Sequence, residues 1–445
     1  MISTSRLNTV RKTIQTAGLA GLIQLLISRY KKRALRLVLM PVALPLAFFI
    51  CVISPWIRVK LIMLASDRIG HYAWVTEQFL CARDMSAAEN KQLCITFFYR
   101  NPGTPVANTQ LHRMWKRVIT ILPFPHLLSE VDRYLLYMSK TYRDDPLKTY
   151  FTLGDGCDRW NLLGKVPRCH LYFTRAEEQK GKKIQQAMGI PVGAKYVCIL
   201  GRDSRYLSIH MPNVDSSYHD YRNVTIDNYK SAAEFLASQG YYVVRMGKHV
   251  QDAFNVNNPK IIDYANSPYR SDFMDIYLSA NCFCFISVGT GLDSVAQIFR
   301  RPLLITNFPL SNRGIWPDWC LFMPKKVYDV ATKRYLSFKD IYNLFSNSER
   351  SVPQILHETG LQFIENTPEE IMDGVKELLG RIMNNERYST TDQQLQQQFW
   401  HDYPQRFSDN LPLLKTPVFE YTQMMQEGHL RIVTSFLQKN EIMLG

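Results

Sequence analysis

The chain has 445 residues, 46% of them hydrophobic and 21% charged. That balance belongs to a folded globular protein and excludes a disordered or fibrous one, and the length suits two or three domains. The formal net charge is +14, yet Met1–Ser66 holds ten Lys or Arg and no Asp or Glu; subtracting those ten leaves +4 on the remaining 379 residues. The excess cation therefore sits on one apolar end, which fits an anionic membrane surface and argues against nucleic acid as a partner.

The first 57 residues form that end. Residues 8–30 carry the pattern of a basic amphipathic helix. Leu37–Ile57 is a run of 21 uncharged, mostly apolar residues, long enough to cross a hydrocarbon core of ~30 Å. Pro41, Pro45 and Pro55 each remove a backbone donor and disturb a helix interior. The basic cluster Arg29–Arg36 favours the cytoplasmic side, and a single crossing would then export the rest of the chain. A segment that dips into the membrane or lies on it keeps the rest of the chain on the cytoplasmic side. The expectation is a monotopic anchor on the cytoplasmic face of the inner membrane.

Strand and helix signals alternate after this segment. Val59–Ala65 and Gln92–Tyr99 read as strands, with helices over Tyr72–Ala82 and Thr109–Ile121. The alternation restarts with strand Tyr196–Leu200, helix Thr225–Gln239 and strand Tyr241–Met246. A short strand at Ile261–Tyr264 precedes a helix over Asp272–Ala280, capped by Ser271. Strand Cys282–Ser287 leads through a glycine-rich loop to another helix, and Pro302–Asn307 is a further strand. Thr367-Pro368-Glu369-Glu370 opens a helix with an N-cap, proline at the first position and a reciprocal acid. Such alternation predicts α/β domains with parallel sheets. The expectation is two Rossmann-like domains in tandem, residues 58–189 and 190–380. A helical tail over 381–445 follows.

Three clusters fall at predicted strand ends, where ligands bind in open α/β sheets. Ser287-Val288-Gly289-Thr290-Gly291-Leu292-Asp293-Ser294 joins a strand to a helix. Its glycines allow close backbone approach, and the helix start favours the negative charge of a diphosphate. Neither a Walker loop nor a complete dinucleotide fingerprint is present. Gly201-Arg202-Asp203-Ser204 ends the first strand of the second half. Arg202 offers a planar fork for phosphate, and Asp203 is placed to hold it. Arg222, Asn223, Arg245, Gly247, Lys248 and Asp263 add polar and cationic groups at the same rim. In the first half, Asp67-Arg68-Ile69-Gly70-His71 supplies the candidate catalytic residues Asp67, Arg68 and His71. Imidazole suits a general base taking a proton from a hydroxyl.

Nine cysteines form no CxxC pair and no Cys/His spacing of a zinc module, so they read as reduced thiols. Cys282 and Cys284 alternate with Phe283 and Phe285 as buried strand positions. With no Asp-x-Asp motif visible either, the expectation is no metal site and no required cofactor.

The strings Asp67–His71, Gly201–Ser204, Tyr221-Arg222-Asn223, Tyr241–Gly247, Asp263-Tyr264, Arg270-Ser271-Asp272, Ser287–Asp293 and Phe299–Asn307, in that order over about residues 58–380, resemble a bacterial glycosyltransferase family of surface-polysaccharide gene clusters. The resemblance implies a GT-B-like transferase, with residues 58–189 as the acceptor domain and 190–380 as the nucleotide-sugar donor domain. The acceptor would be a lipid-linked or polysaccharide chain, of capsule or O-antigen type. Two other readings remain open: a catalytically idle scaffold of a polysaccharide assembly complex, and a nucleotide-sugar epimerase. The epimerase would need no anchor.

Overall fold

The computed structural model describes residues 4–86, 92–145, 147–148, 158, 161–210, 217–310, 319–346, 350–384, 387–402 and 431–444. The chain divides into two compact units, each discontinuous in sequence. The first takes Met1–Leu64, Asn90–Gly103 and Thr120–Thr149; the second takes Ala65–Glu89, Thr104–Ile119 and Tyr150–Gly445.

In the first unit, α1 (Thr4–Ile53) is one continuous helix of 50 residues with Pro41 and Pro45 inside it. The expected interruption does not occur. A proline removes one backbone donor and strains one turn; the interleaved Ala43 and Ala47 are fully buried and offset that loss. They share a core with Val131 and Leu135 of α4 (Pro125–Met138). Arg36 Nε adds a 3.1 Å bond to Glu130 Oε1 on α4. The helix ends two residues before Pro55, whose ring disfavours helix in the residue before it.

The 21-residue window Arg33–Ile53 has mean hydropathy 2.4 and is only 11% buried. Length and composition suffice to cross a membrane, and so low a burial is not that of a core helix. Leu37, Val38, Phe48 and Phe49 are all exposed. Most side chains within 8–30 lie outside the described residues, so the amphipathic face expected there is not described.

Strands β1 (Ile57–Leu64) and β2 (Leu93–Arg100) pair in parallel, from Ile57 opposite Leu93 to Leu64 opposite Arg100. A buried polar network lies beside them. Asp132 accepts from Tyr99 Oη at 2.8 Å, from Lys148 Nζ at 2.6 Å and from Tyr142 Oη, and Lys60 pairs with Asp145 at 2.8 Å. Charges removed from water are tolerable only when paired in this way.

The second unit is organised on a seven-stranded parallel sheet. Its strands include β3 (Tyr196–Ile199), β4 (Tyr242–Arg245), β5 (Ile261–Ile262), β6 (Cys284–Ser287), β7 (Leu303–Phe308) and β8 (Cys320–Pro324). A small antiparallel sheet is formed by β9 (Lys326–Asp329), β10 (Arg334–Tyr335) and β11 (Leu361–Ile364). The last strand, β12 (Arg431–Ile432), returns to the main sheet beside β8. The order across the sheet is β12-β8-β7-β6-β3-β4-β5. Every residue of β3, β6, β7 and β8 is buried, as a sheet covered on both faces requires. This is an α/β protein with a doubly wound parallel sheet.

Residues 58–189, expected to form a Rossmann-like domain, contain only the β1–β2 pair and a bridge from Phe98 to Ile121 among the described residues. They are divided between the two units. Within the expected tail, helix Thr390–Asp402 is present and β12 joins the main sheet.

Candidate active site

The second unit's sheet reverses direction in one place. From β3 the chain builds outward through β4 and β5, then crosses to the other side of β3 for β6, β7 and β8. At such a reversal the loops leaving two adjacent strands part company and open a crevice at their carboxyl ends. Those loops are Gly201–Ser204, after β3, and Val288–Leu292, after β6; β3 and β6 are hydrogen-bonded neighbours.

The β6 loop is held from below. Asp293 Oδ2 accepts from Ser287 Oγ and from Thr290 N, both at 2.7 Å, and Oδ1 accepts from Gln297 Nε2 at 3.3 Å. Burial pushes the Asp293 carboxyl up to about 6. Ser287 and Asp293 thus form the loop's internal frame. Gly289 turns at φ +71°, a left-handed conformation that glycine adopts without steric cost.

Gly291 is small for another reason. A Cβ there would lie 2.9 Å from Ile69 Cγ2 and 3.2 Å from Gly70 N, and a Cβ on Gly70 would lie 2.8 Å from Gly291 Cα. The two glycines let the start of α2 (Ile69–Ser86) rest on the loop, backbone to backbone. Leu292 precedes the helix Asp293–Ile298, and Ser294 Oγ is 3.3 Å from the same Gly70 Cβ position.

Cations gather around this loop. Arg222 Nη2 donates to Gly289 O at 3.0 Å, and Arg202 Nη1 donates to His219 O at 3.0 Å. Lys325 Nζ donates to Tyr221 O and Asn223 O at 3.1 and 2.7 Å. Their mutual repulsion registers in their protonation. Burial and then Arg222 lower Arg202 to about 10. Burial, followed by Arg202, Arg222 and Arg68, depresses His219 to about 4. Burial lowers Lys325 to about 8, with Arg202 adding to the effect and Glu365 opposing it. Arg68, Arg202, Arg222 and Lys325 therefore share one positive field. Buried polar atoms of the site without a hydrogen-bond partner include Thr290 Oγ1, Arg222 Nε and Asn223 Oδ1. Buried polar atoms normally find one, so a polyanionic ligand answers both features.

The other expected residues are placed differently. Asp203 does not hold Arg202: Oδ1 accepts from Arg205 N and Oδ2 from Gln251 N, both at 2.9 Å. It ties the loop after β3 to the loop after β4. Ser204 O accepts from Ser208 N at 3.1 Å at the start of the short helix Arg205–His210. Arg245 is buried, with Nη1 3.2 Å from Asp263 Oδ1 and Nη2 3.1 Å from Asp252 O. Asp263 in turn accepts from Phe254 N and Asn266 Nδ2. This pair is an internal staple.

Gly247 leaves no room for a side chain, since its Cβ would lie 2.5 Å from Val250 Cγ1. Lys248 Nζ stands 3.8 Å from Asp272 Oδ1, and Asp272 Oδ2 accepts from Thr109 N at 2.9 Å. Asn223 Nδ2 donates to Asp220 Oδ1. His71 lies in the first turn of α2 beside Asp67 and Arg68. Burial and then Arg68 lower its pKa, while Asp67 opposes them, so the imidazole is neutral at pH 7. Sequence reasoning missed His219 and Lys325. The pair Lys325-Lys326, directly after the apolar run of β8, was the available signal for the second.

Fold and geometry together define a class: a doubly wound α/β protein whose switch-point crevice carries clustered cations and a glycine loop. No protein-family model matches the chain, and no curated protein does. Solved structures similar to it include the ADP-heptose LPS heptosyltransferase II of E. coli, at 12% identity and TM-score 0.39, covering 72% of this chain and 99% of that one. A family 9 glycosyl transferase from Veillonella parvula is similar at 10% identity and TM-score 0.45, covering 73% and 98%. The iron-containing dodecameric glycosyltransferase TibC of enterotoxigenic E. coli is similar at 13% and 0.34, covering 74% and 78%. These neighbours are glycosyltransferases, but likenesses this distant carry no argument for the chemistry of this chain.

The expectation of no required cofactor is corrected. That expectation does not hold across these neighbours, since TibC contains iron. The fold also brings donor atoms of Glu77, Cys81 and His170 within 4.8 Å of one another.

Proposed function

We propose that this chain is a glycosyltransferase that takes a nucleotide-sugar donor at the β3–β6 crevice and passes the sugar to a membrane-held acceptor. The observation that carries this reading is the gathering of Arg68, Arg202, Arg222 and Lys325 around the Gly289–Gly291 loop at the sheet's reversal point. In glycosyl transfer the bond between the anomeric carbon and a phosphate oxygen breaks, and the electron pair leaves with the nucleoside diphosphate. Preorganised cations and backbone amides stabilise that developing charge, and arginine forks match phosphate oxygens. His71 is the base that takes the acceptor hydroxyl proton as the new carbon–oxygen bond forms. Asp67 orients the imidazole and Arg68 faces the phosphates.

The membrane part of the proposal rests on α1, whose apolar window is largely uncovered. A cavity of about 290 Å³ at its foot, lined by Ile50, Cys51, Ser54, Arg58 and Thr141 among others, offers both apolar and cationic contacts to a lipid-linked acceptor. A surface polysaccharide assembled at the cytoplasmic face of the inner membrane is the product class this arrangement fits.

The test is transfer of labelled sugar from a panel of nucleotide sugars into the lipid extract of membranes containing the full-length protein. His71→Ala should keep donor affinity and lose turnover. Full turnover in His71→Ala, or no incorporation from any donor, would reject the assignment.

A further inference from the structure

Away from the crevice, α2 carries Glu77, Cys81 and Asp84 at helical spacings of four and three, along one face. Glu77 and Cys81 are fully buried. Facing them is His170. Its Nδ1 is 3.1 Å from Glu77 Oε2, and its Nε2 is 2.8 Å from Asp84 Oδ2. Cys81 Sγ lies 3.9 Å from Glu77 Oε1. Ligand atoms around a tetrahedral zinc-type ion sit about 3.3–3.8 Å apart, given bonds of about 2.0–2.3 Å. The Cys81–Glu77 and His170–Glu77 contacts are near that spacing, and all three donors lie within 4.8 Å of one another before any ion draws them together.

Their surroundings suit a metal as well. A ligating histidine nearly always gives its second ring nitrogen to a carboxylate, a backbone carbonyl or a water, and Asp84 occupies that place. Arg300 bonds to Glu77 Oε1 at 2.8 Å and to Cys81 Sγ at 3.7 Å. It is anchored independently on the carbonyls of Ile298 and Val166. Its guanidinium therefore orients the carboxylate and leaves Glu77 Oε2 toward His170. The charges also balance: Glu77, Asp84 and a Cys81 thiolate oppose Arg300 and a divalent ion.

We infer that Glu77, Cys81 and His170 form a binding site for a divalent transition metal of the zinc class. Thiolate, imidazole and carboxylate together select such ions over magnesium or calcium. Binding releases the thiol proton of Cys81, and any proton on His170 Nδ1, to solvent. The ion would fasten α2, beyond the first turn that holds His71, to the segment 167–171, and is a site additional to the donor crevice.

Full-length protein in detergent, stripped with chelator, is titrated with Co²⁺ and then with Zn²⁺. The expected result is one equivalent of cobalt with a thiolate-to-cobalt charge-transfer band, which zinc abolishes. Cys81→Ser loses the band, and Cys94→Ser, at an exposed cysteine, retains it. Asp84→Asn alters a half-exposed residue that orients a ligand, so it should fold and bind about 10–100-fold more weakly. No cobalt uptake by the wild type, a band that survives Cys81→Ser, or wild-type affinity in Asp84→Asn overturns the site.

Discussion

Replacing Gly70 by alanine separates the packing account of the crevice from a simpler one. Gly70 lies in the first turn of α2, and helix propensity alone predicts that alanine stabilises it by up to about 1 kcal/mol. The structure predicts the reverse. The new methyl would stand 2.8 Å from Gly291 Cα and 3.3 Å from both Gly291 O and Ser294 Oγ. Carbon atoms rest about 3.5–4.0 Å apart, so the start of α2 and the glycine loop must part by about 1 Å. Overpacking of this kind costs about 1–3 kcal/mol and matches or exceeds the propensity gain. With the full propensity gain the expected net loss is about 0–2 kcal/mol. Because the moving backbone belongs to the loop that would meet the diphosphate, a ~1 Å displacement also lowers donor affinity or turnover, by as much as about 100-fold. Urea unfolding measures the first effect and titration calorimetry with the preferred nucleotide the second. A variant as stable as wild type, or more so, with unchanged affinity would refute the reasoning.

Other consequences are as direct. Arg222→Ala removes the guanidinium that bonds to Gly289 O and should weaken nucleotide-diphosphate binding by about 10–100-fold, from the ~1.5–3 kcal/mol of a charged hydrogen bond. Equilibrium titration checks it. Lys325, lowered to about 8 from an ordinary 10.5, costs the fold about 3 kcal/mol while charged at pH below 8, and the cost fades as pH rises from about 8 toward 10.5. A bound diphosphate restores the cation, so binding just above pH 8 should take up protons and weaken as pH climbs further. Calorimetry in buffers of different ionisation enthalpy reads that uptake, and Lys325→Met should remove it. Ala47→Phe places a ring in the fully buried seam between α1 and α4. A loss of about 1–3 kcal/mol, seen as faster proteolysis of the detergent-solubilised protein, is expected.

The main sheet was legible because its strands are short apolar runs punctuated by Gly, Asn and Ser, as at Tyr196–Ile199 and Cys284–Ser287. Both loops of the crevice were legible too, since strand ends can be read from where those runs stop. The order of the strands was not. Nothing local tells that β6 lies beside β3 and that β12, from the end of the chain, closes the far edge. Partners were equally hidden. Arg202, Arg222, Arg245 and Asp203 look alike as polar residues near strand ends. Only packing separates Arg245, buried and locked to Asp263 and the Asp252 carbonyl, from Arg222, whose Nη2 donates to the Gly289 carbonyl of the crevice loop. The prolines of α1 misled because their local cost is visible in sequence, whereas the compensating burial of Ala43 and Ala47 is tertiary. His170 stands more than 80 residues from its neighbours on α2, and no spacing rule for metal ligands reaches that far.

The central claim is that the β3–β6 crevice binds a nucleotide sugar through its diphosphate. Calorimetric titration of the full-length protein in detergent with UDP-, GDP-, CDP- and ADP-sugars tests it most directly. The account predicts selective binding of one nucleotide class, lost in Arg222→Ala and reduced in Gly70→Ala. A folded protein that binds none of them, or binds one equally well in Arg222→Ala, would contradict it.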